Sequence, residues 1–372
     1  MKQKNSFSGQ IGFVFAAAGS AVGVGNLWRF PYLAAKDGGG LFLIIYLVLV
    51  LTVGFVLLTT DIAIGRKTGK SAIYAYESMR KKWKFLGVIT FLVPVLIMTY
   101  YAVIGGWILR YIVIYLTSSG KQAVADNCFT SFISSPSSVW YGLIFMFLTA
   151  LIVYNGVEKG IERVSKFIMP VLLIMVIGIA IFSLTLKTTL DDGTVRTGLQ
   201  GLKVYMKPDL TGITIGRFLQ ITLDAMSQLF FSLSVSMGIM ITYGSYVKKD
   251  VDLNKAVSQI EIMDTGVAFL AGVMIIPAVF VFSGLDGMSA GPGLMFVSLP
   301  KVFYCMGVVG RIIGILFFVL AGFAALTSCI SVLESITANC MELFHTERKK
   351  TTRVLSAVSY THLRAHETPE HL

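Results

Sequence analysis

Charged residues are scarce in this sequence. Of its 372 residues, only 14% are Asp, Glu, Lys or Arg, against about 25% in an average soluble domain. The four cysteines have neither metal-ligand nor redox spacing, and no histidine precedes His345. An HExxH motif is also absent. These absences exclude an ordinary soluble domain and argue strongly against an enzyme.

What the sequence has instead is a series of apolar segments. Hydrophobic residues make up 55% of the chain, and its mean hydropathy is +0.76. Segments of about 20 apolar residues cross a bilayer as helices, and eight such spans are predicted, at 11–36, 40–65, 85–117, 139–155, 161–187, 215–247, 255–284 and 307–343.

The basic residues are distributed unequally between the connections. Most of the Lys and Arg residues before residue 356 lie in one alternate set of connections, which includes the N-terminus. The positive-inside rule therefore predicts a cytoplasmic N-terminus. The net charge of +11 is therefore explained by membrane topology, and nucleic-acid binding is not needed to explain it.

The first predicted span contains AAAGSAVGVGNLWRFP, at 16–31, with three glycines in seven residues. Glycine costs a helix about 1 kcal/mol relative to alanine, so this segment should unwind. Unwound backbone at bilayer depth is tolerated only against protein or a polar cavity, and it is typical of the binding sites of transporters. The alternative interpretation is that the helix is continuous and the glycines only let two helices pack closely.

A second interrupted segment, at 227–238, lies inside the sixth predicted span. It contains four serines, Ser227, Ser232, Ser234 and Ser236, together with Gly238. Breaks in the first and sixth spans are expected when spans 1–5 and 6–10 form inverted repeats with the binding site between them. Serines that bond to their own helix carbonyls are the alternative here.

Ionisable residues inside the predicted spans are few and should face the protein interior; they are Asp61, Asp224, Glu261, Asp264 and Glu334. Of these, Asp264 is the one we expect beside an ion. Thr327 and Ser328 are adjacent hydroxyls in the eighth span, and a hard cation prefers such oxygen ligands. Hydroxyl pairs of this kind also often do no more than cap helix carbonyls.

Four stretches together resemble the bacterial branch of the neurotransmitter:sodium symporter family, up to about residue 355: GSAVGVGNLWRFPYLAAKDGGG (19–40), VPVLIMTYYAVIGGW (93–107), QLFFSLSVSMGIMITYGSYVKKD (228–250) and AALTSCISVLE (324–334). The resemblance implies an all-α membrane protein with the inverted-repeat, leucine-transporter-like fold and discontinuous helices 1 and 6. About eight of the family's eleven or twelve spans would be present, so the chain would be C-terminally truncated. Residues 1–355 would be one transporter domain, and 356–372 a non-native or disordered tail.

The resemblance also implies site residues. The first sodium site would use Ala21, Asn26, Ser232 and Asp264, and the second would use Gly19, Val22, Ala324, Thr327 and Ser328. The substrate would contact Ala21, Val24, Gly25, Ile97, Tyr101, Phe231, Ser232, Ser234, Met237, Ser328 and Val332. The gates would be Arg29 and Gln228 outside and Lys4, Phe7, Tyr246 and Glu342 inside.

Departures from the family pattern refine the substrate. Gly23 stands where relatives that carry decarboxylated amines have Asp, which favours a substrate with a free carboxylate. Met237 replaces a frequent phenylalanine and, being adaptable, favours a large apolar or aromatic side chain. Asp264 replaces the usual asparagine and Ala268 occupies the chloride-linked position, so no chloride requirement is expected. Gly160 and Pro170 match the family's Gly-X9-Pro motif in the fifth span.

The sequence therefore predicts a sodium-coupled symporter of a neutral, hydrophobic or aromatic amino acid. It would be a multi-pass protein of the bacterial inner membrane, monomeric or homodimeric, with Na⁺ as its co-transported ion, an amino acid and the bilayer as partners, and no nucleic acid. A non-transporting amino-acid sensor on the same fold is the alternative. Because the family's tenth span supplies the acidic partner of Arg29, little uptake is expected from this chain as given.

Overall fold

Apolar runs in this chain become helices because a helix satisfies its backbone hydrogen bonds within one segment, as hydrocarbon surroundings require. The computed structural model describes residues 6–118, 120–125, 127–190 and 193–365. The helices are α1 (Gln10–Ala21), α2 (Val24–Leu27), α3 (Arg29–Lys36), α4 (Gly40–Leu49), α5 (Phe55–Thr68), α6 (Ala72–Met79), α7 (Lys84–Ser118), α8 (Cys128–Ile133), α9 (Ser137–Tyr154), α10 (Arg163–Thr185), α11 (Gly198–Met206), α12 (Ile215–Ser232), α13 (Ile239–Gly244), α14 (Leu253–Ser283), α15 (Leu299–Cys305), α16 (Gly307–Phe344) and α17 (Arg348–Ala365).

Shorter helical turns and one hairpin complete the secondary structure. Segments Val50–Gly54, Val157–Glu162 and Leu294–Ser298 are π-helical, and Lys81–Trp83, Lys121–Val124 and Leu285–Gly287 are 3₁₀ turns. Strands β1 (Lys187–Thr189) and β2 (Val195–Thr197) pair antiparallel, with Lys187 opposite Thr197.

Seven of the eight predicted spans correspond to helices long and apolar enough to cross a membrane. Six are continuous: Gly40–Thr68, Lys81–Ser118, Ser137–Tyr154, Val157–Thr185, Leu253–Ser283 and Gly307–Phe344. The first span is a pair of segments, Gln10–Ala21 and Val24–Lys36, bent by 58°. The remaining predicted span, at 215–247, consists of α12 and α13 with a break between them.

One end of the bundle carries the N-terminal segment and is called here the N-terminal face. Phe7 is buried there, and its amide donates to the Tyr246 carbonyl at 3.1 Å. Arg66, at the end of α5, donates to the Val251 carbonyl at 2.6 Å. The loop after α13 and the end of α5 therefore lie on this same face.

On the opposite face, the connection at 285–306 folds back as a short hairpin that ends in α15. Its Phe296 is buried and stacks against Phe129, and it also contacts Trp28 and Trp107 edge to face. The Tyr111 hydroxyl donates to the Phe296 carbonyl at 2.8 Å. The hairpin thus covers the bundle above helices α2 and α7.

The last described helix, α17, packs against α9, α7 and α16. It runs to Ala365, so the segment from 356 onward, predicted as a tail, begins inside a helix, and residues 366–372 lie outside the described part. Arg348, at the start of α17, donates to Glu334 of α16, at 2.8 Å from Nη2. This pair fixes the start of α17 to the bundle.

Candidate functional site

The first predicted break lies between α1 and α2. Helix α1 ends at Ala21, and Val22 and Gly23 are extended before α2 begins at Val24. The Asn26 side-chain oxygen accepts from the Gly23 amide at 3.3 Å, which supports the freed backbone. The interruption predicted from the glycine-rich sequence is confirmed.

The second break lies between the end of α12, at Ser232, and the start of α13, at Ile239. Ser234 and Ser236 have positive φ angles of 52° and 60°, a conformation that non-glycine residues adopt uncommonly and at some cost. The Ser236 amide donates to the carboxylate of Asp61 in α5 at 2.8 Å. A buried acid of the second span thus holds the unwound backbone of the sixth.

The two breaks face each other across a small, partly open chamber. Its walls come from both breaks and from α7 and α16, and they are Ser20, Ala21, Gly23, Asn26, Ile97, Tyr101, Phe231, Ser232, Ser234, Met237, Ile239, Ser328 and Val332. Of the predicted substrate-binding residues, all but Val24 and Gly25 line it.

A buried polar cluster occupies one side of the chamber. Asn26 donates from Nδ2 to Asp264 Oδ1 at 2.8 Å, and Ser232 Oγ lies 2.9 Å from both carboxylate oxygens. Asn26 and Asp264 have no solvent exposure. Among the described residues, no basic side chain is paired with Asp264. The cluster thus joins three predicted ligands of the first sodium site, and it concentrates oxygen atoms and one carboxylate, which a hard monovalent cation prefers.

Hydroxyls of α16 contact the other side of the first break. Ser328 Oγ donates to the Ser20 carbonyl at 3.1 Å, and a methyl group at Gly19 would come within 3.2 Å of Thr327 Cβ. Thr327 Oγ1 donates to the carbonyls of Phe323 and Ala324 at 3.0 and 3.2 Å. Gly19, Ala324, Thr327 and Ser328 of the predicted second sodium site are therefore neighbours, and Val22 lies in the adjoining extended segment.

The remaining predicted substrate residues lie at the start of α2. The Val24 amide lies 3.4 Å from the Tyr101 hydroxyl oxygen, which accepts from it. The Phe231 ring stands directly over the Gly25 backbone, since a methyl group at Gly25 would lie 2.5 Å from its Cε1 atom. Backbone amides, a tyrosine hydroxyl and an aromatic ring thus converge at one point of the chamber.

The predicted outer gate residues are in contact. Arg29 Nη2 donates to Ser227 Oγ at 2.8 Å, and Nη1 donates to Gln228 Oε1 at 3.4 Å. Nearby, Lys36 pairs with Asp224 at 3.0 Å. In the described part of the chain, Arg29 forms no salt bridge with a carboxylate.

The predicted inner gate is only partly assembled. Phe7 packs edge to face against Tyr246, but the Tyr246 hydroxyl donates to Glu334 at 2.7 Å. Glu342 instead accepts from the amide and hydroxyl of Ser71 at the start of α6. Lys4 lies outside the described residues.

The sequence identifies Glu334 as an intramembrane acid but does not indicate that it lies at this gate. Its carboxylate is fully buried between Tyr246 and Arg348. The available signal was an acid in the middle of an apolar helix, followed 14 residues later by an arginine, since a buried charge requires a partner. The spacing alone did not show that α17 would bring the two together.

Comparison with known proteins places this geometry among transporters. The model of the sodium:neurotransmitter symporter family matches residues 4–135 and 127–364. The sodium-dependent transporter YhdH of Bacillus subtilis is 39% identical over 92% of this chain and 74% of its own length. A sodium-dependent transporter of Methanocaldococcus jannaschii is 33% identical over 94% of this chain and 72% of its own.

A solved structure gives the same result at the level of the fold. The crystal structure of MhsT in complex with L-phenylalanine superposes with a TM-score of 0.83 and 37% identity, over 97% of this chain and 81% of that one. The two broken helices and the chamber between them therefore define a multi-pass, sodium-dependent membrane symporter with the leucine-transporter fold, and not an enzyme. The chain belongs to the sodium:neurotransmitter symporter family.

Proposed function

We propose that this symporter binds a neutral amino acid with a large apolar or aromatic side chain in the chamber between the two breaks. The sodium gradient would drive its transport. The observation that carries the proposal is the division of the chamber walls. Asn26 and Ser232 lie beside the buried Asp264 carboxylate, whereas Ile97, Met237 and Val332 supply apolar walls. A zwitterion with an apolar side chain fits this division.

The polar end of the substrate is inferred from the space around Gly23. A methyl group there would lie 2.9 Å from Ser328 Oγ and 3.0 Å from the Tyr101 hydroxyl. A longer acidic side chain, which an amine lacking a carboxylate would need as its counter-charge, does not fit without displacing these groups. We infer that the substrate brings its own carboxylate, to be met by the Val24 and Gly25 amides and Tyr101, and by the sodium ion. The substrate amino group would meet the carbonyls of Ala21, Phe231 and Ser234.

The apolar end rests on Met237 and Phe231. Methionine is flexible and makes favourable contacts with aromatic rings, and Phe231 is placed to close over the bound substrate. The related structure of MhsT is a complex with L-phenylalanine, which agrees with this reading.

We propose two sodium sites beside the same chamber. The first would consist of the Ala21 carbonyl, Asn26, Ser232, Asp264 and the substrate carboxylate. The second would consist of the Gly19, Val22 and Ala324 carbonyls with Thr327 and Ser328. Sodium occupancy would favour one arrangement of the broken helices over another, and its gradient would drive alternating access.

Transport is proposed to be independent of chloride. Asp264 places a fixed negative charge at the first sodium site, and no basic side chain within the described ranges is paired with it, so a chloride ion is not needed to balance the sodium. Replacing chloride with gluconate in an uptake assay on the chain continued to the length of its relatives should leave the rate unchanged within about twofold, a difference of about 0.4 kcal/mol. Loss of uptake in gluconate would refute this assignment.

The N-terminal face is proposed to be cytoplasmic, in a bacterial inner membrane, because it carries most of the basic residues. Arg29 and Gln228 would then close the outer side, and Phe7, Tyr246, Glu334 and Glu342 the inner side. Counterflow in proteoliposomes, carried out with the chain continued to the length of its relatives, tests transport against the alternative of a ligand sensor. Exchange of external labelled substrate for internal unlabelled substrate is expected, and saturable binding without exchange would favour the sensor.

A further inference from the structure

Three basic residues on the N-terminal face have no acidic partner in the part of the chain that the structure describes. Arg80, Lys81 and Lys82 form the connection from α6 into α7, and all three are exposed. The acid closest in sequence, Glu77, is paired with Lys84 at 3.2 Å. Three adjacent positive charges therefore remain unneutralised.

The same segment carries an exposed apolar side. Trp83, Phe85 and Leu86 are 37%, 58% and 37% exposed. They begin the membrane-crossing segment Lys81–Ser118, so they stand where hydrocarbon meets the polar headgroups, the level that tryptophan prefers. The Arg80 guanidinium lies 6.0 Å from the Trp83 ring centroid, within range of a cation–π contact.

Two other basic segments of this face carry their own acids. Ser71, at the start of α6, contacts Glu342, and Arg66 contacts the loop at Val251, so the connections before α6, after α13 and after α16 share one face. Lys70 and Lys84 both lie over the Tyr74 ring, so the connection from α6 into α7 lies on this face too. Asp250 and Asp252 lie between Lys249 and Lys255 in the sequence. In the connection after α16, Arg348 is held by Glu334. General attraction to an anionic membrane surface therefore does not distinguish 80–82. What distinguishes this segment is that three consecutive basic residues, none with a carboxylate partner in the described part of the chain, lead directly into the exposed Trp83.

We propose that Arg80, Lys81, Lys82 and Trp83 form a binding site for the headgroup of an anionic phospholipid. An arginine fork can bind two phosphate oxygens at once, and the lysines add point charges beside it. The Trp83, Phe85 and Leu86 side chains would contact the upper acyl chain of the same lipid. Phosphate and hydrocarbon side by side are the chemistry of a lipid and not of a nucleic acid.

Trp83 itself can report on the bound lipid. The chain and its Trp83→Phe variant are reconstituted in phosphatidylcholine vesicles that contain a minor fraction of phosphatidylglycerol, with bromine on the acyl chains of one lipid or the other. The difference in fluorescence between chain and variant isolates Trp83. Brominated phosphatidylglycerol should quench Trp83 at least about threefold more strongly than brominated phosphatidylcholine at the same fraction, since juxtamembrane Lys and Arg attract anionic lipid.

Two double variants with the same loss of charge locate the effect. Lys81→Gln/Lys82→Gln should bring the quenching ratio close to one, whereas Lys249→Gln/Lys255→Gln, on the same face, should leave it unchanged. High salt should also lower the ratio, because ions screen the attraction. Equal quenching by both lipids would overturn the proposal. An equal fall in both double variants would also overturn it, because this would mean attraction by net charge alone.

Discussion

Single residues decide what the chamber can hold. Asp264 has no exposure and is fixed by Asn26 and Ser232, which preserves a negative charge deep in the protein without a basic partner among the described residues. A buried charge in this condition is costly, and a bound cation would remove the cost. We therefore propose that a bound sodium ion stabilises this arrangement.

Substitution of Gly25 by alanine tests the role of the ring above it. The added methyl group would lie 2.5 Å from Phe231 Cε1, so the ring must move away from the backbone. Overpacking of this kind costs about 1–3 kcal/mol, and we expect substrate affinity to fall about 5- to 150-fold in equilibrium binding.

Gly178→Ala is the matched control, because a methyl group there meets nothing within 4 Å. It should bind as the unaltered chain does. If Gly25→Ala also bound with unchanged affinity, Phe231 would not close over the substrate in the way described here.

Among the elements, α16 and α17 are joined by an ion pair that holds the N-terminal face together. Glu334 is fully buried, and the Arg348 side chain is only 12% exposed. Removing one member of such a pair strands the other charge and costs about 3–5 kcal/mol. We therefore expect Arg348→Ala to lower the free energy of unfolding by about that amount, measured by thermal unfolding in detergent.

Arg353→Ala provides the comparison, since Arg353 is exposed and, among the described residues, donates a hydrogen bond only to the Tyr154 hydroxyl. It should cost no more than about 1 kcal/mol. The double variant Glu334→Gln/Arg348→Ala should recover part of the loss, because no charge is stranded. If Arg348→Ala melted at the same temperature as Arg353→Ala, the buried pair would not contribute to stability.

The elements also show where sequence reasoning works and where it ends. Both breaks were predictable because glycines at 19–25 and serines at 227–236 disfavour a helix locally, whatever packs around them. The hydrogen-bond partner of Tyr246 was not predictable from the sequence, because Glu334 and Glu342 lie about two turns apart on one helix. Which of them reaches Tyr246 depends on how α6 and α17 pack against α16, and Ser71 takes Glu342.

At the scale of the whole molecule, transport requires both gates to open and close in turn. The chain spans about three quarters of the length of the curated relatives described above, and in its described part Arg29 meets only Ser227 and Gln228. We expect the 372-residue chain to bind substrate but to show little sodium-driven uptake in proteoliposomes. The same chain continued to the length of its relatives should transport, and robust uptake by the 372-residue chain would contradict this.

The measurement that tests the account most directly is equilibrium binding of radiolabelled L-phenylalanine to the purified chain, in sodium and in potassium buffers of equal ionic strength. The account predicts saturable binding in sodium alone, no competition by phenethylamine, and loss of binding in Asn26→Ala. Binding should be normal in Asn155→Ala, because the Asn155 side chain is exposed and, within the described ranges, bonds only to the Leu151 carbonyl of its own helix. Tight binding in potassium, or in Asn26→Ala, would contradict the claim that two broken helices hold a sodium ion and a zwitterion together.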